Sequence, residues 1–203
     1  ADTARSTGLE IGPFADLIDA FQQDQVKTRY ADRAEVLDYC RRSANPVGRI
    51  VLALEGCRDA RLVEMADQIC TGLQLVNFWQ DIKRDRIAGR VYLPAGDMRR
   101  HGVSEADLDA AQASPALRSL VCEEVAWARQ CFDRGAPLAA AAPRGLRPAI
   151  TMFLGGGRAV AAAIERSDCD TLARRPTVGR ATKLALAARA CWQAVVARCG
   201  ADR

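Results

Sequence analysis

The chain has very little histidine and few aromatic residues. His101 is the single histidine, and Phe, Trp and Tyr together make up 5% of the 203 residues. With one imidazole, a zinc site has little support, and so has a catalytic pair of histidine with serine or cysteine. Acid and base chemistry must therefore come from carboxylates, tyrosines or water, and we assign no role to His101.

Long apolar runs and paired cysteines are also missing. No uninterrupted apolar segment reaches the length that spans a bilayer, and the opening residues ADTARS lack the apolar region of a signal peptide. The cysteines, at positions 40, 57, 70, 122, 131, 169, 191 and 199, include no CxxC pair. We interpret them as small buried hydrophobic residues in a reducing compartment, and we predict a soluble, cytoplasmic protein.

Lysine is rare, so arginine supplies nearly all of the positive charge. The formal net charge is +4, and lysine occurs only at positions 27, 83 and 183. A GC-rich genome explains most of this bias, but arginine also forms bidentate contacts with phosphate oxygens. Charges of both signs are interspersed, and no basic run alternates with aromatic residues. The sequence therefore argues against a nucleic-acid partner.

The composition predicts an all-α protein. Alanine and leucine dominate, and β-branched runs bounded by turns are missing. The length suffices for one core, and we expect a single domain over residues 1–203. The predicted helices run from about 12 to 24, from 34 to 56 with a break at residues 43–48, from 59 to 87, from 104 over a short stretch, from 115 to about 133, from 147 to 166, and from 178 to 199. We expect the three glycines at 155–157 to interrupt the 147–166 helix. They either allow close packing of this helix against another or simply weaken it.

A polar stripe on the 59–87 helix is the most informative local pattern. At about 100° per residue, its members share roughly a quarter of the helix circumference, and apolar residues fill most of the rest. The stripe consists of Cys70, Gln74, Asn77, Asp81 and Asp85. Two carboxylates on a buried helix need a compensating cation or a solvated cavity. Hard oxygens one turn apart, without histidine or cysteine, suit Mg²⁺ that retains waters and bridges to phosphates.

The alternative is that Asp81 and Asp85 lie on a solvated face beside Lys83, Arg84 and Arg86. That interpretation holds for most pairs of aspartates four residues apart. Here the stripe is flanked by apolar residues on both sides, which favours the metal site.

Three segments together resemble the squalene and phytoene synthase family. They are YCRRSANPVG at 39–48, QLVNFWQDIKRD at 74–85 and GRVYLP at 89–94. The resemblance extends over nearly the whole chain. It implies the all-α isoprenoid (terpenoid) synthase helical bundle, in which helices surround a deep apolar cavity capped by two Asp-rich motifs that hold Mg²⁺ and diphosphate.

The resemblance also implies roles for particular residues. Asn77, Asp81 and Asp85 would belong to the second Asp-rich motif and bind the metal. Gln74 would line the same stripe, while Arg90 and Tyr92 would approach the diphosphate. Tyr39 would lie near the reacting carbons, although a lone tyrosine is more often a core residue bonded through its hydroxyl.

The first segment departs from the usual family pattern, because Ser43 to Pro46 stand where Val-Ala-Gly is common. This version resembles the hopanoid-pathway branch, the hydroxysqualene synthases. That likeness implies that presqualene diphosphate ionises and that water captures the cation to give hydroxysqualene. Asn45 would hold this water. The alternatives are presqualene diphosphate, squalene or phytoene synthases, which are head-to-head prenyl transferases of farnesyl or geranylgeranyl diphosphate.

The first Asp-rich motif of the family is not found in this sequence. Asp16, Asp19 and Asp24 precede Tyr39 too closely to replace it, so we expect a bundle that lacks its first helices. A catalytically inactive binding or scaffold protein, or a helical bundle without a small-molecule site, remains an alternative. Because the implied substrates are long apolar chains, we also expect peripheral association with the inner face of the membrane. The oligomeric state is left open.

Overall fold

The computed structural model describes the backbone of residues 9–199 and the side chains of residues 9–192. The helices are α1 (Gly12–Gln23), α2 (Arg33–Ser43), α3 (Asn45–Leu54), α4 (Ala60–Gln80), α5 (Ile82–Ile87), α6 (Ala95–Arg100), a 3₁₀ helix (Glu105–Asp109), α7 (Pro115–Gly135), α8 (Leu138–Ala141), α9 (Arg147–Arg166) and α10 (Arg180–Cys199). No β-strand occurs within the described backbone, so the predicted all-α class is confirmed.

The long helix α4 is the centre of the fold. It packs most extensively against α7 and is also contacted by α3 and α9. Trp79, Leu75 and Phe132 are among the largest fully buried side chains, and they lie on α4 and α7. Because α4 is surrounded in this way, most side chains of its C-terminal half face other helices rather than water.

Helix α9 runs through the three glycines without a break, so the predicted interruption is wrong. A Cβ atom on Gly157 would lie 2.7 Å from Phe132 Cε1 and 2.9 Å from Leu73 Cδ2. No side chain fits at that distance, so glycine allows α9 to approach α4 and α7 closely. Close packing, the other role considered for these glycines, is what the structure shows.

The break between α2 and α3 lies where the sequence predicts it. Helix α2 ends at Ser43 and α3 begins at Asn45, with Pro46 in the first turn of the new helix. A proline is tolerated there because the first N–H groups of a helix have no partner inside it.

The predicted helix from 59 to 87 is instead two helices. Asp81 has φ −106° and ψ 15°, which ends α4 at Gln80 and starts α5 at Ile82. The Asp81 N–H still donates to the Asn77 carbonyl and the Asp85 N–H to the Asp81 carbonyl, so the helical hydrogen-bond pattern continues across the join. The side chains of Gln80 and Asp81 are both hydrogen bonded to the distant Arg175, a contact that the helical pattern does not contain.

The interpretation of all the cysteines as reduced and buried is also wrong. Cys122 of α7 and Cys169, which follows α9, form a disulfide. Of the free cysteines, Cys40 and Cys131 are buried as expected, whereas Cys191 is exposed. The Cys199 side chain lies outside the described residues. The pairing depends on how α7 and α9 are placed in three dimensions, and the spacing of 47 residues gives no sign of it.

Several apolar side chains are exposed on α1, α3 and α9. Ile18 is 58%, Phe21 63% and Phe153 55% accessible. In the part of the chain that the structure describes, no helix is both long and apolar enough to cross a membrane.

Candidate active site

Asp81 is a buried carboxylate held by two arginines. Arg175 Nε donates to Oδ1 at 2.5 Å and Arg175 Nη2 donates to Oδ2 at 2.9 Å, while Arg84 makes a longer contact of 3.4 Å. The hydrogen bonds from Arg175 lower the pKa of Asp81, against the opposing effect of its burial. Arg175 also donates to Gln80 Oε1 at 2.8 Å, and Gln80 donates to the Pro176 carbonyl. The segment at 175–176 is therefore fastened to the end of α4.

Asp85 lies one turn further on and has a different environment. Its side chain is 18% accessible, and the nearest cationic atom, Arg90 Nη2, is 4.0 Å from Oδ1. Burial raises the pKa of Asp85 to about 6, and the neighbouring charge of Arg90 only partly opposes this. The carboxylate therefore ionises less readily than an ordinary aspartate.

Arg90 reaches Asp85 because the chain turns back after α5. Gly89 has φ +79°, a conformation that favours glycine, and the Arg90 N–H then donates to the Asp85 carbonyl at 2.8 Å. The Arg90 Nε atom is buried and has no hydrogen-bond partner among the described residues. This guanidinium group keeps an unused donor close to the partly buried Asp85.

Four aromatic rings form a buried cluster beside Asp85, which we call the ring cluster: Tyr30, Tyr39, Phe78 and Tyr92. Phe78 and Tyr92 stack with their centroids 3.9 Å apart. Tyr39 lies 5.8 Å from Tyr92 and 6.1 Å from Phe78, and Tyr30 stacks on Tyr92 at 5.5 Å. Phe78 and Tyr92 line the same small cavity as Asp85 and Arg90.

Tyr39 connects the ring cluster to a further acid. Its hydroxyl donates to Asp24 Oδ2 at 2.9 Å. Burial raises the pKa of Tyr39 far above its usual range, and the bond to Asp24 adds to this effect. Asp24 Oδ1 is buried and finds no hydrogen-bond partner among the described residues. Tyr39 is thus a neutral hydrogen-bond donor, in the arrangement expected of a core tyrosine as well as of a residue facing a substrate.

The other residues singled out from the sequence lie along α3 and α4. Asn45 is buried, and its Oδ1 accepts a hydrogen bond of 2.9 Å from the Thr71 hydroxyl. Gln74 is partly buried, and Asn77 is exposed. Asn77 lines a pocket of about 200 Å³ between α4 and α9, whose wall includes Val76 and Phe153. The polar stripe thus passes from the interior to a groove.

Arg175 is the site residue that the sequence reasoning missed. It lies 94 residues after Asp81 and belongs to no pattern shared with it. Asp24, which the resemblance left without a definite role, was also not assigned to the site. Only the three-dimensional arrangement identifies their contacts with Asp81 and Tyr39.

Comparison with known proteins gives consistent matches. The sequence model of the family described as squalene/phytoene synthase matches residues 1–182. Hydroxysqualene synthase of Rhodopseudomonas palustris is 39% identical over 126 residues, which cover 62% of this chain and 43% of that protein. Hydroxysqualene synthase of Sinorhizobium fredii is 43% identical over 108 residues, covering 53% and 36% respectively. The chain spans less than half of the length of each of these relatives in the matched regions.

A solved structure gives the same result for the fold. The crystal structure of squalene synthase HpnC from Alicyclobacillus acidocaldarius superposes with a TM-score of 0.80 at 38% sequence identity. The match covers 82% of this chain and 64% of that one. The predicted isoprenoid synthase fold is therefore confirmed.

Proposed function

Because the chain belongs to the squalene/phytoene synthase family, we propose that it acts as an isoprenoid synthase that converts presqualene diphosphate and water into hydroxysqualene and diphosphate. Two relatives carry the name hydroxysqualene synthase, and this supports the choice of product. In this reaction the bond from carbon to the diphosphate oxygen breaks with its electron pair, and the carbon skeleton rearranges. A water oxygen then bonds to carbon and a proton is released.

One observation carries this proposal. Asp81 and Asp85 lie one helical turn apart, each within reach of an arginine from a different segment, and Asp85 adjoins the ring cluster. Acids and arginines suit a diphosphate group with its counterion, while apolar rings suit the hydrocarbon part of the substrate. An isoprenoid diphosphate combines these two chemistries in one molecule.

The proposed metal ligands Asn77, Asp81 and Asp85 fit Mg²⁺ in their donor chemistry, because they offer hard oxygen atoms. Among the described residues, no group of three or more histidine, cysteine or acidic side chains is arranged to hold a metal ion alone. A Mg²⁺ ion at this site would therefore have to retain waters and share its coordination with substrate phosphates. When bound, Mg²⁺ would neutralise part of the diphosphate charge. The partly buried Asp85, whose pKa is raised to about 6, is a carboxylate that a nearby cation would stabilise.

Arginines would stabilise the leaving diphosphate. The Nε atom of Arg90 is buried beside Asp85 and has no hydrogen-bond partner among the described residues. It can therefore donate to a phosphate oxygen without first breaking a hydrogen bond within the protein. Arg175 would have to leave Asp81 first, and its planar guanidinium could then bind two oxygens of the diphosphate. In this role Gln74 and Tyr92 would complete the diphosphate contacts, as the family resemblance implies.

The ring cluster would face the carbocation that forms after ionisation. Aromatic faces attract a cation within about 6 Å of the ring centroid, and buried rings do so more strongly. The same rings exclude bulk water, which delays random capture of the cation. Tyr39 holds its proton at neutral pH because burial raises its pKa, so its hydroxyl can orient a water molecule or a neighbouring acid but is not a base.

The substrate assay separates this reaction from its nearest alternatives. The protein, expressed with whatever residues its gene encodes before residue 1, is incubated with presqualene diphosphate, farnesyl diphosphate or geranylgeranyl diphosphate and Mg²⁺. We expect hydroxysqualene from presqualene diphosphate, with water labelled by ¹⁸O giving a labelled alcohol. Conversion of farnesyl diphosphate alone would indicate a head-to-head prenyl transferase, and conversion of geranylgeranyl diphosphate would indicate a phytoene synthase. An active preparation that makes no hydroxysqualene would refute the proposal.

Asn45 provides a finer test of water capture. Its Oδ1 already accepts from Thr71, which leaves the amide N–H groups and the second lone pair of Oδ1 to hold a reacting water. We expect Asn45→Gly to shift products from the alcohol towards squalene-type or rearranged hydrocarbons, whereas Thr71→Ser should change little. An unchanged product ratio in Asn45→Gly would remove this residue from the mechanism.

An inactive binding or scaffold protein is the alternative of another class. The sequence upstream of residue 1 tests it directly, since an Asp-x-x-x-Asp helix encoded there would supply the other Asp-rich motif. If the gene encodes no such helix and the purified protein converts none of the three diphosphates, the scaffold interpretation is the correct one.

A further inference from the structure

Two arginines line one pocket formed by the C-terminal end of α9, the segment that follows it and Arg118 of α7. Arg166 and Arg174 form no ion pair or hydrogen bond with any residue that the structure describes, whereas arginines such as Arg33, Arg49 and Arg86 are in ion pairs. Both line a pocket of about 430 Å³, and Arg118 of α7 is a third arginine in its wall. This volume is within the range of small-molecule sites.

The acidic group in the pocket wall is already compensated. Asp170 is 7% accessible, and its Oδ1 accepts the N–H groups of Ala113, Leu172 and Ala173. Its other oxygen accepts from Arg118 Nη2 at 3.0 Å. Asp170 therefore presents little free negative charge to the pocket, and the two unpaired arginines dominate its electrostatics.

The C-terminal end of α9 also lies at this pocket, but its carbonyl groups are mostly occupied. The Ser167 N–H donates to Ala163, the Cys169 N–H to Ile164 and the Asp168 N–H to Glu165. A free helix C-terminus would repel an anion. Here the turn after α9 takes up these acceptors, so the repulsion is reduced.

The pocket wall is fixed before any ligand arrives. The disulfide between Cys122 and Cys169 ties the turn after α9 to α7, and Asp170 fastens the next residues through the backbone bonds described above. Asp168 and Cys169 both have positive φ, at 55° and 54°, a conformation that the surrounding bonds have to maintain. A preformed wall avoids part of the ordering cost of binding.

We propose that this pocket binds a small soluble anion that carries a phosphate or diphosphate group. Arg166 and Arg174 would donate to its oxygens in the bidentate manner of guanidinium groups, with the Thr177 hydroxyl as a further donor. The site is separate from the candidate active site in that no residue lining this pocket also lines the cavity of Asp85 and Arg90, although Arg175, the residue after Arg174, binds Asp81.

Calorimetric titration tests the proposal on the purified chain. Inorganic diphosphate is titrated in the presence of a chelator, at an ionic strength held constant with chloride. We expect Arg166→Ala/Arg174→Ala to weaken binding about tenfold or more, and lysine at both positions to restore part of it. The matched control is Arg134→Ala, since Arg134 is exposed and lines no part of this pocket. The replaced side chains are exposed, so unliganded unfolding temperatures should agree among all variants.

A second variant distinguishes this site from the candidate active site. Arg90→Ala removes a proposed diphosphate ligand of the candidate active site, so in the absence of metal it should weaken diphosphate binding less than Arg166→Ala/Arg174→Ala does. If Arg90→Ala abolishes binding while Arg166→Ala/Arg174→Ala does not, the pocket proposal is overturned and the proposed function is unaffected. Absence of binding by the wild-type chain at millimolar diphosphate also overturns it. So does binding to phosphatidylglycerol vesicles but not to free diphosphate, which would assign the arginines to a lipid headgroup.

Discussion

Two aspartates of one motif, Asp81 just before the short helix α5 and Asp85 within it, have opposite surroundings. At the Asp81 end, Arg175 and Arg84 compensate the carboxylate and its pKa is lowered. At the Asp85 end, the nearest cation is 4.0 Å away, and burial beside aromatic rings raises the pKa to about 6. The difference shows that the segments packed around an acidic side chain determine its pKa. Membership of the same motif does not determine that pKa.

This contrast has a chemical meaning for a diphosphate enzyme. The Asp81 end already contains a cation and must release it before the acid can take another partner. The Asp85 end lacks one, so the arrival of a cation there would relieve an electrostatic cost. We therefore expect the two acids to be equally necessary for catalysis and to act oppositely on the stability of the metal-free chain.

The largest expected effect is on catalysis. Asp81→Asn and Asp85→Asn should each lower kcat by about 10³-fold, because each removes a negatively charged oxygen ligand from the proposed metal site. Product formation from presqualene diphosphate at saturating Mg²⁺ measures this loss. Asp133→Asn, which alters an exposed acid paired with Arg158, should keep wild-type kcat. Activity within tenfold of wild type in either active-site variant would contradict the assignment.

Arg175 should have the next largest effect. Replacing it by alanine removes a proposed diphosphate ligand and leaves Asp81 without its main partner, so we expect kcat to fall about 10²-fold. Arg84→Ala is the matched control, since this arginine is 69% exposed and its contact with Asp81 is longer. Its kcat should change less than threefold. Equal losses in the two variants would mean that Arg175 acts only as one more surface charge near the acid.

The pH dependence of stability separates the two ends most clearly. With a chelator present, the raised pKa of Asp85 destabilises the fold progressively as the pH rises from the unfolded pKa of about 3.9 to the folded pKa of about 6, and the full cost is present above pH 6. The cost disappears at about pH 3 and below, where the group is protonated in both states. Asp85→Asn should therefore raise the free energy of unfolding at pH 8 by between about 1 and 3 kcal/mol and leave it nearly unchanged at about pH 3.

Asp81→Asn should act in the opposite direction in the same denaturant titrations. The pKa of Asp81 is lowered, so its ionised form stabilises the fold above its unfolded pKa, and this contribution is lost as the pH falls through the folded value. The variant should be destabilised at pH 8 and approach wild type in acid. If Asp81→Asn and Asp85→Asn change the free energy of unfolding at pH 8 in the same direction, the two acids do not differ in the way described.

The smallest expected effect concerns the bond between Tyr39 and Asp24. Tyr39→Phe keeps the ring but removes the hydroxyl. Asp24 Oδ1 already has no hydrogen-bond partner among the described residues, and Asp24 Oδ2 then loses the bond from Tyr39. We expect a loss of about 1 kcal/mol in unfolding free energy and a decrease in kcat of less than tenfold. Tyr39→Leu also removes the ring and should lower kcat further. If Phe and Leu give the same kcat, the ring has no role in stabilising the cation.

Local sequence signals explain which features could be predicted. Pro46 and the polar stretch around it mark the break between α2 and α3, and Gly89 to Pro94 mark the extended segment after α5. Both depend on the backbone preferences of proline and glycine, which act within a few residues. The helices at 115–135 and 147–166 follow from apolar spacing in the same way.

The features that could not be predicted join distant segments. The bond from Arg175 to Asp81 spans 94 residues, and the disulfide joins cysteines 47 residues apart. Asp81 belongs to a recognisable motif, but nothing near Arg175, Cys122 or Cys169 in the sequence marks these residues as partners in a long-range contact. The end of α4 at Gln80 belongs to the same group, since its position coincides with contacts from residues 175 and 176. Tertiary contacts of this kind override helical periodicity, so the pattern predicted one helix where two exist.

The disulfide between Cys122 and Cys169 makes the intervening chain a closed covalent ring that contains most of α7 and all of α8 and α9. The exposed turn around Arg144 and Gly145 is the accessible part of this ring for a protease. A single cut there would leave two pieces that migrate together on a non-reducing gel and separate only after a thiol reagent is added. Nicking followed by electrophoresis would thus report the cross-link directly, without any measurement of catalysis.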